Sequence, residues 1–288
     1  MCGIAGVASF HSIGDRLYEG VHHLEYRGYD SCGVAFLNHD HIEVRKDVGT
    51  VDEVDGKESI RHLESYVGIA HTRWATHGKV TKENAHPHLS CRGDFAVVHN
   101  GIIANYKALR EALLKSGHRF RSETDTEIIA HLIEQRFTEL GDVEAALVRA
   151  LTELEGSYAL AMISTNEPQR IFCARHESPL IIGVGSESNY VGSDFNAFID
   201  YTKNTVILED GEYSVVSKDS VSVKSVRSGE VVEKAITVLP WDSELSRKGG
   251  YPHYMLKEIH EQPQAVRSAL SIDAEQITAV ADMMAAAR

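Results

Sequence analysis

The order of periodicities along this chain constrains its fold more than any other feature. Apolar alternation rich in β-branched residues marks strands at residues 3–9, 31–37, 42–45, 66–72 and 95–99. One helical stretch, residues 16–24, interrupts them with Leu17, Val21 and Leu24 on one side. A helical block follows at 106–115, 125–140 and 143–154. In the middle segment Ile128, Ile129, Leu132, Ile133, Phe137 and Leu140 form a broad apolar stripe. Thr124-Asp125-Thr126-Glu127 reads as a capping box for that helix, with Thr124 at the N-cap and Glu127 at N3. Strand texture then returns at 158–164, 170–174, 180–184, 190–192, 206–208, 212–216 and 222–225, with a short helix at 195–199. Two strand-rich blocks around a helical one predict an α+β protein rather than a regular βαβ alternation.

The texture changes near Leu239. Residues 2–239 read as one domain, and 240–253, with Pro240, Gly249, Gly250 and Pro252, as a linker. Helices are expected at 254–261, 263–270 and 273–287. This tail is too short to fold alone without staples, and its last residues, Met283 to Arg288, read as a break inside a helix. The chain is therefore expected to be a piece of a longer protein.

Composition narrows the class of partner. The 288 residues carry 29 basic and 42 acidic side chains, a net charge of −13, which argues against nucleic acid or an anionic membrane as the main partner. The four cysteines, at 2, 32, 91 and 173, form no CxxC pair and are too sparse for a disulfide scaffold. The N-terminus lacks a basic segment followed by an apolar one, and position 2 is not glycine. No apolar run approaches the roughly 20 residues of a membrane span. A soluble, cytoplasmic protein is expected.

Chemistry concentrates at four places. The first is Cys2, ahead of Gly3-Ile4-Ala5-Gly6. Methionine before a small residue is normally trimmed, which would put a thiol and a free α-amine of pKa about 7.7–8.0 on one residue. That pairs a nucleophile with a base poised near neutrality, though a buried structural cysteine fits the dipeptide too. The second is His71-Thr72-Arg73-Trp74-Ala75-Thr76-His77-Gly78, which combines a planar carboxylate clamp with hydroxyl, imidazole and aromatic groups. The third is His99-Asn100-Gly101, either a tight turn or an amide beside an approachable N–H, as an oxyanion hole needs. The fourth is Asp125, whose plainer role is to complement a helix dipole. His71, His77, His86, His88 and His99 invite a metal, yet no standard ligand spacing is present, and no metal is expected. Cys32, Cys91 and Cys173 show no electropositive neighbourhood and read as packing residues.

Taken in order, these clusters resemble one family. Cys2-Gly3-Ile4-x-Gly6, Leu24-Glu25-Tyr26-Arg27-Gly28-Tyr29-Asp30-Ser31, the Arg73 cluster, Asn100-Gly101-Ile102-Ile103 and Ser122-Glu123-Thr124-Asp125-Thr126-Glu127 resemble the class II glutamine amidotransferases. Within that family the pattern is most similar to the glutaminase half of the glucosamine-6-phosphate synthases. Residues 254–263, Tyr254-Met255-Leu256-Lys257-Glu258-Ile259-His260-Glu261-Gln262-Pro263, resemble the entrance to their sugar-phosphate isomerase (SIS) half. That tail sets the chain apart from amidophosphoribosyltransferases and asparagine synthetases. The resemblance implies an Ntn-hydrolase-like four-layer αββα sandwich with two antiparallel sheets. It implies catalysis by Cys2, Asn100 and Gly101, glutamine binding by Arg73, Thr76, His77 and Asp125, and an N-terminus oriented by Arg27 and Gly28. Trp74 matches the ammonia gate. It further implies no cofactor, fructose 6-phosphate as ammonia acceptor only in the full-length enzyme, and a homodimer at full length. Ala104 and Cys32 depart from the family pattern, which has Glu and Ala there. Another amidotransferase, or a glutamine-binding module without chemistry, remain the alternative readings.

Overall fold

The computed structural model describes residues 2–75, 78–240, 249–271 and 273–286. Cα proximity divides the chain into two compact units, Met1–Pro240 and Trp241–Arg288.

The first unit contains two antiparallel sheets. One has the strand order β14-β11-β9-β10-β1-β4-β2-β3. Its members are β1 (Gly3–Ser9), β2 (Ser31–Asn38), β3 (His41–Val48), β4 (Val67–Arg73), β9 (Ile181–Val184), β10 (Ser188–Gly192), β11 (Asn204–Ile207) and β14 (Thr237–Val238). The other has the order β13-β12-β8-β7-β6-β5, from β5 (His88–Leu89), β6 (Phe95–Ile103), β7 (Gly156–Ser164), β8 (Arg170–His176), β12 (Glu212–Ser217) and β13 (Val221–Ser225). Helices α1 (Gly14–His23), α2 (Val51–Glu58), α3 (Tyr106–Lys115), α4 (Thr126–Leu140) and α5 (Val143–Leu151) complete the unit.

Side-chain alternation explains the layering, because successive residues of a strand point to opposite faces. Ile4 and Ala8 on β1, Val67 and Ile69 on β4, and Ala96 and Val98 on β6 meet Ala159, Ala161 and Ile163 of β7 in one buried cluster between the sheets. The intervening residues face outward. Ala5, Val7 and Ala70 pack under Leu17 and Val21 of α1. Phe95, Val97, Leu160 and Met162 pack under Ile129, Ile133, Ala146 and Leu147 of α4 and α5. The result is helix, sheet, sheet, helix: the expected four-layer sandwich.

Several elements differ from the sequence reading. The capping box at Thr124 is not formed: α4 begins after Asp125, and no side chain caps its first turn. Thr124 Oγ1 instead meets His88 Nε2 at 3.0 Å, while Glu127 accepts the N–H groups of Arg121 and Ser122, each at 2.7 Å. The preceding loop outcompetes the helix end for these side chains. A full capping box does form at Thr50 and Glu53, starting α2, a helix too short for its period to stand out. Residues 195–199 shorten to a 3₁₀ turn, Phe195–Ala197.

In the second unit, α6 (Tyr254–Leu270) and α7 (Ala274–Ala286) are the described helices. The expected break at Pro263 is absent, and one helix runs through it. Proline removes a single backbone donor, and the ladder resumes beyond it. Among the described residues no helix is long and apolar enough to cross a membrane.

Candidate active site

The alternation that builds the core also builds the site. Cys2 precedes β1 in phase with Ile4, His71 and Arg73 continue the inward series of Val67 and Ile69, and Asn100 continues that of Ala96 and Val98. Antiparallel pairing of Gly3 with Thr72 sets the start of β1 beside the end of β4. At this one end of the intersheet gap, polar side chains thus replace apolar ones. They border a small cavity of about 50 Å³ lined by Cys2, Arg73, Trp74, His86, His99, Asn100, Gly101, Thr124, Asp125 and Thr126.

Cys2 is held from three sides. Trp74 N–H donates to its Sγ at 3.3 Å. Its carbonyl oxygen accepts from Asn100 Nδ2 at 2.9 Å and from Arg27 Nε at 3.2 Å. Arg27 is itself paired with Asp194 at 3.2 Å, a partner that no local motif announces. Gly28 lies directly under the Arg73–Trp74 peptide: a Cβ there would sit 2.5 Å from Arg73 C and Trp74 N. Burial pushes the Cys2 thiol up, while the Trp74 hydrogen bond and the Arg73 and Arg27 charges pull it back only in part. The resting sulfur therefore keeps its proton and needs a base to become a nucleophile.

Asn100 is oriented from behind. Its Oδ1 meets His71 Nε2 at 3.0 Å, which leaves the NH₂ facing Cys2. Burial drives the His71 pKa down to about 3, so the ring is neutral and donates through Nε2. His86 stacks on His71 with centroids 4.1 Å apart. His99 Nδ1 meets Thr126 Oγ1 at 2.9 Å. The segment bearing His86 and His88 is tied down by Lys46 of β3, whose Nζ donates to the carbonyls of Glu83 at 3.4 Å and Pro87 at 2.9 Å. Gly101 follows Asn100 with φ +137°, a conformation that side chains rarely adopt, and a Cβ there would meet Ser157 O at 2.0 Å.

Arg73 is buried at the cavity wall, with Nη1 donating to Lys79 O at 3.3 Å. Burial lowers its pKa, opposed by the negative charges of Asp30 and Asp125. Asp125 Oδ2 accepts from Ile103 N–H at 2.9 Å, which anchors this carboxylate at the end of β6. Trp74 is half exposed, its ring 5.6 Å from that of Tyr29.

Cys2, Arg73, Trp74, Asn100, Gly101 and Asp125 are thus brought together, with Arg27 and Gly28 just behind Cys2. Thr76 and His77 lie outside the described residues. The sequence reading missed the buried support of His71, His86, His88 and His99. Their signal was density in the sequence, which pointed toward a metal rather than toward positioning. Cys91 also needs correction: Cys32 and Cys173 are buried as expected, but Cys91 is exposed. It sits in the turn before β6, where no core reaches it.

Residues 71–200 match the family of glutamine amidotransferase domains. The chain is 46% identical over 285 residues to the glutamine–fructose-6-phosphate aminotransferase (isomerizing) of Thermococcus kodakarensis, covering 99% of this chain and 47% of that protein. Its namesake in Methanothermobacter thermautotrophicus is 49% identical over 272 residues, covering 94% of this chain and 46% of the relative.

The chain carries a glutamine amidotransferase domain.

This amidotransferase chain spans about half the length of the curated relatives it matches. Its fold is similar to that of the glutamine phosphoribosylpyrophosphate amidotransferase from B. subtilis, with a TM-score of 0.69 at 24% identity. That match covers 80% of the amidotransferase chain and 50% of the solved one.

Proposed function

We propose that this chain hydrolyses L-glutamine to glutamate and ammonia, with Cys2 as the nucleophile. What carries the reading is the convergence of Cys2, Asn100, Gly101, Arg73 and Asp125 on one cavity at the end of the intersheet gap. Glutamine binds with its α-carboxylate on Arg73, where a guanidinium offers two parallel donors, and its α-ammonium on Asp125. The family resemblance assigns Thr76 and His77, outside the described residues, to glutamine binding, and Trp74 to gating the ammonia. With Met1 removed, the Cys2 amine takes the thiol proton, directly or through one water. The sulfur attacks the carboxamide carbon, and the carbonyl electrons move onto oxygen. Asn100 Nδ2 and Gly101 N–H stabilise that oxyanion; the amide group already lies on the Cys2 side of Asn100. Collapse expels ammonia, which takes the proton back from the amine and leaves a γ-glutamyl thioester. Water, deprotonated by the same amine, attacks the thioester and releases glutamate and the free thiol.

In the whole protein the ammonia passes to fructose 6-phosphate to give glucosamine 6-phosphate, the reaction suggested by the names of its relatives. On this reading residues 2–239 are the glutaminase domain, 240–253 a linker and 254–288 the start of the sugar-phosphate isomerase half. Exposed Met255, Ile259, Val266, Ile277 and Val280 on that last segment fit the opening of a larger core. A cytoplasmic homodimer is the corresponding assembly. The test combines intact-mass measurement with glutamate and ammonia assays. A chain lacking Met1 releases the two products one to one, and a chain retaining Met1 releases neither. Equal turnover by both forms would remove the α-amine from the mechanism.

A further inference from the structure

A second constellation lies away from the cavity. Cys91 sits in the turn between β5 and β6, His118 in the loop after α3, and His131 and Glu134 three residues apart on α4. One donor atom from each, the Cys91 Sγ, a ring nitrogen of His118 and of His131 and a Glu134 carboxylate oxygen, lies within 4.8 Å of the others.

We propose that Cys91, His118, His131 and Glu134 form a tetrahedral zinc site that clips the turn before β6 and the 116–125 loop onto α4. The spacings carry the assignment. Cys91 Sγ is 3.6 Å from His118 Nδ1 and 3.5 Å from His131 Nδ1, and His118 Nδ1 is 3.4 Å from Glu134 Oε2. Zinc bonds of about 2.3 Å to sulfur and about 2.0–2.1 Å to nitrogen and oxygen give tetrahedral edges of roughly 3.6 Å for S···N and roughly 3.4 Å for N···O. Three of the six edges therefore already have the lengths that zinc requires, and the remaining three lie within 4.8 Å.

The surrounding groups match what metal ligands need. His131 turns its other nitrogen to Glu127 Oε1 at 3.4 Å, the carboxylate–histidine relay that fixes a ligating tautomer. Arg92 N–H holds the other oxygen of Glu134 at 2.7 Å, leaving Oε2 for the metal. Arg119 N–H donates to Cys91 Sγ at 3.3 Å, as suits a thiolate. His131 and Glu134 are buried while Cys91 is exposed, so the site has rigid walls and an open path for entry. A thiolate and a carboxylate neutralise a divalent ion, and the mixed sulfur, nitrogen and oxygen set favours zinc over magnesium or calcium. Glu127 links the site onward, since it also holds the N–H groups of Arg121 and Ser122 in the loop that leads to Thr124 and Asp125. The metal is structural, and the segment it steadies is the one that supplies Asp125. The sequence offered no hint, because 27 to 40 residues separate Cys91 from its histidines.

A plain hydrogen-bonded Cys–His–Glu cluster makes the competing prediction that zinc is not retained. Tag-free protein is equilibrated with zinc, passed into metal-free buffer and analysed for metal, alongside Cys91→Ser and His131→Gln. About one zinc per chain in the parent and under a tenth of that in both variants is the expected result. Under a tenth in the parent, or equal retention by the variants, overturns the proposal. Cobalt titration of the parent gives a readout independent of any variant's folding. Thiolate-to-cobalt charge transfer with strong tetrahedral ligand-field bands supports the site, and the spectrum of hydrated cobalt overturns it.

Discussion

The two ends of the intersheet gap make an instructive pair. At one end, where β1 starts and β4 finishes, lies the cavity of about 50 Å³ around Cys2. At the other, where β1 finishes and β4 starts, lies a cleft of about 830 Å³ lined by Ser9, Phe10, Leu37, Tyr66, Val67 and Lys218 among others. The larger space is chemically poor, with no cysteine and no arginine in its lining and only scattered titratable side chains. The smaller one gathers a thiol, a guanidinium, a carboxylate, a primary amide and two imidazoles. Convergence of reactive groups, not volume, marks the proposed catalytic end.

Perturbing each end sharpens that contrast. Cys2→Ala is expected to reduce glutamine hydrolysis to background while leaving the circular-dichroism melt and glutamine binding in place; residual turnover would remove the sulfur from the mechanism. Asn100→Ala is expected to lower kcat by about 10²–10³, the usual cost of one oxyanion donor. A kcat within a few-fold of the parent would assign the amide to structure alone. Arg73→Lys exchanges a bidentate fork for a point charge and is expected to raise KM by roughly 10–100-fold, with kcat much less affected. An unchanged KM would reject the carboxylate clamp.

Acid should also weaken the catalytic end. His71, His86, His88 and His99 are all held neutral by burial, His71 down to about 3 against an ordinary 6.5. Between those values the unfolded chain binds protons that the folded chain does not. Stability is therefore full above about pH 6.5 and is lost as pH falls through that window. Thermal melts from about pH 7 to pH 4 should show a steep fall, with a shallower slope in His71→Gln. A flat profile would mean that these rings ionise freely in the fold. The smallest effect is expected at the opposite end. Phe10 is half exposed beneath Lys218, and Phe10→Ala should leave turnover within about twofold. A larger loss would give the wide cleft a role in the reaction.

Much of this arrangement was legible in the sequence. The bounds of β1 follow from alternation alone, and the alternating series through Ile69, His71 and Arg73 contains the placement of the clamp. The helix stripe of α4 was equally plain, because its period repeats over fifteen residues. What failed to show were contacts between distant segments. Thr124 looks like a cap until His88, far off in sequence, takes its hydroxyl. His71 reads only as one member of a polar cluster until Asn100 arrives from the other sheet. Pro263 looks like a stop because its local cost is visible while the hydrogen bonds around it are not. Local propensity reads neighbours along the chain, and sites are made by neighbours in space.

The pairing of Gly3 with Thr72 and of Ser31 with Arg73 has a consequence for how this protein can fail. Sliding β4 by a single position would exchange Arg73 and His71 for the side chains that now face α1, and both would leave the gap together. Hydrogen-bond count and helix content would scarcely change, yet the amide of Asn100 would lose its backing and the proposed glutamine pocket its guanidinium. On the proposed mechanism, turnover is thus a stricter gauge of correct strand alignment in this molecule than any spectroscopic measure of secondary structure.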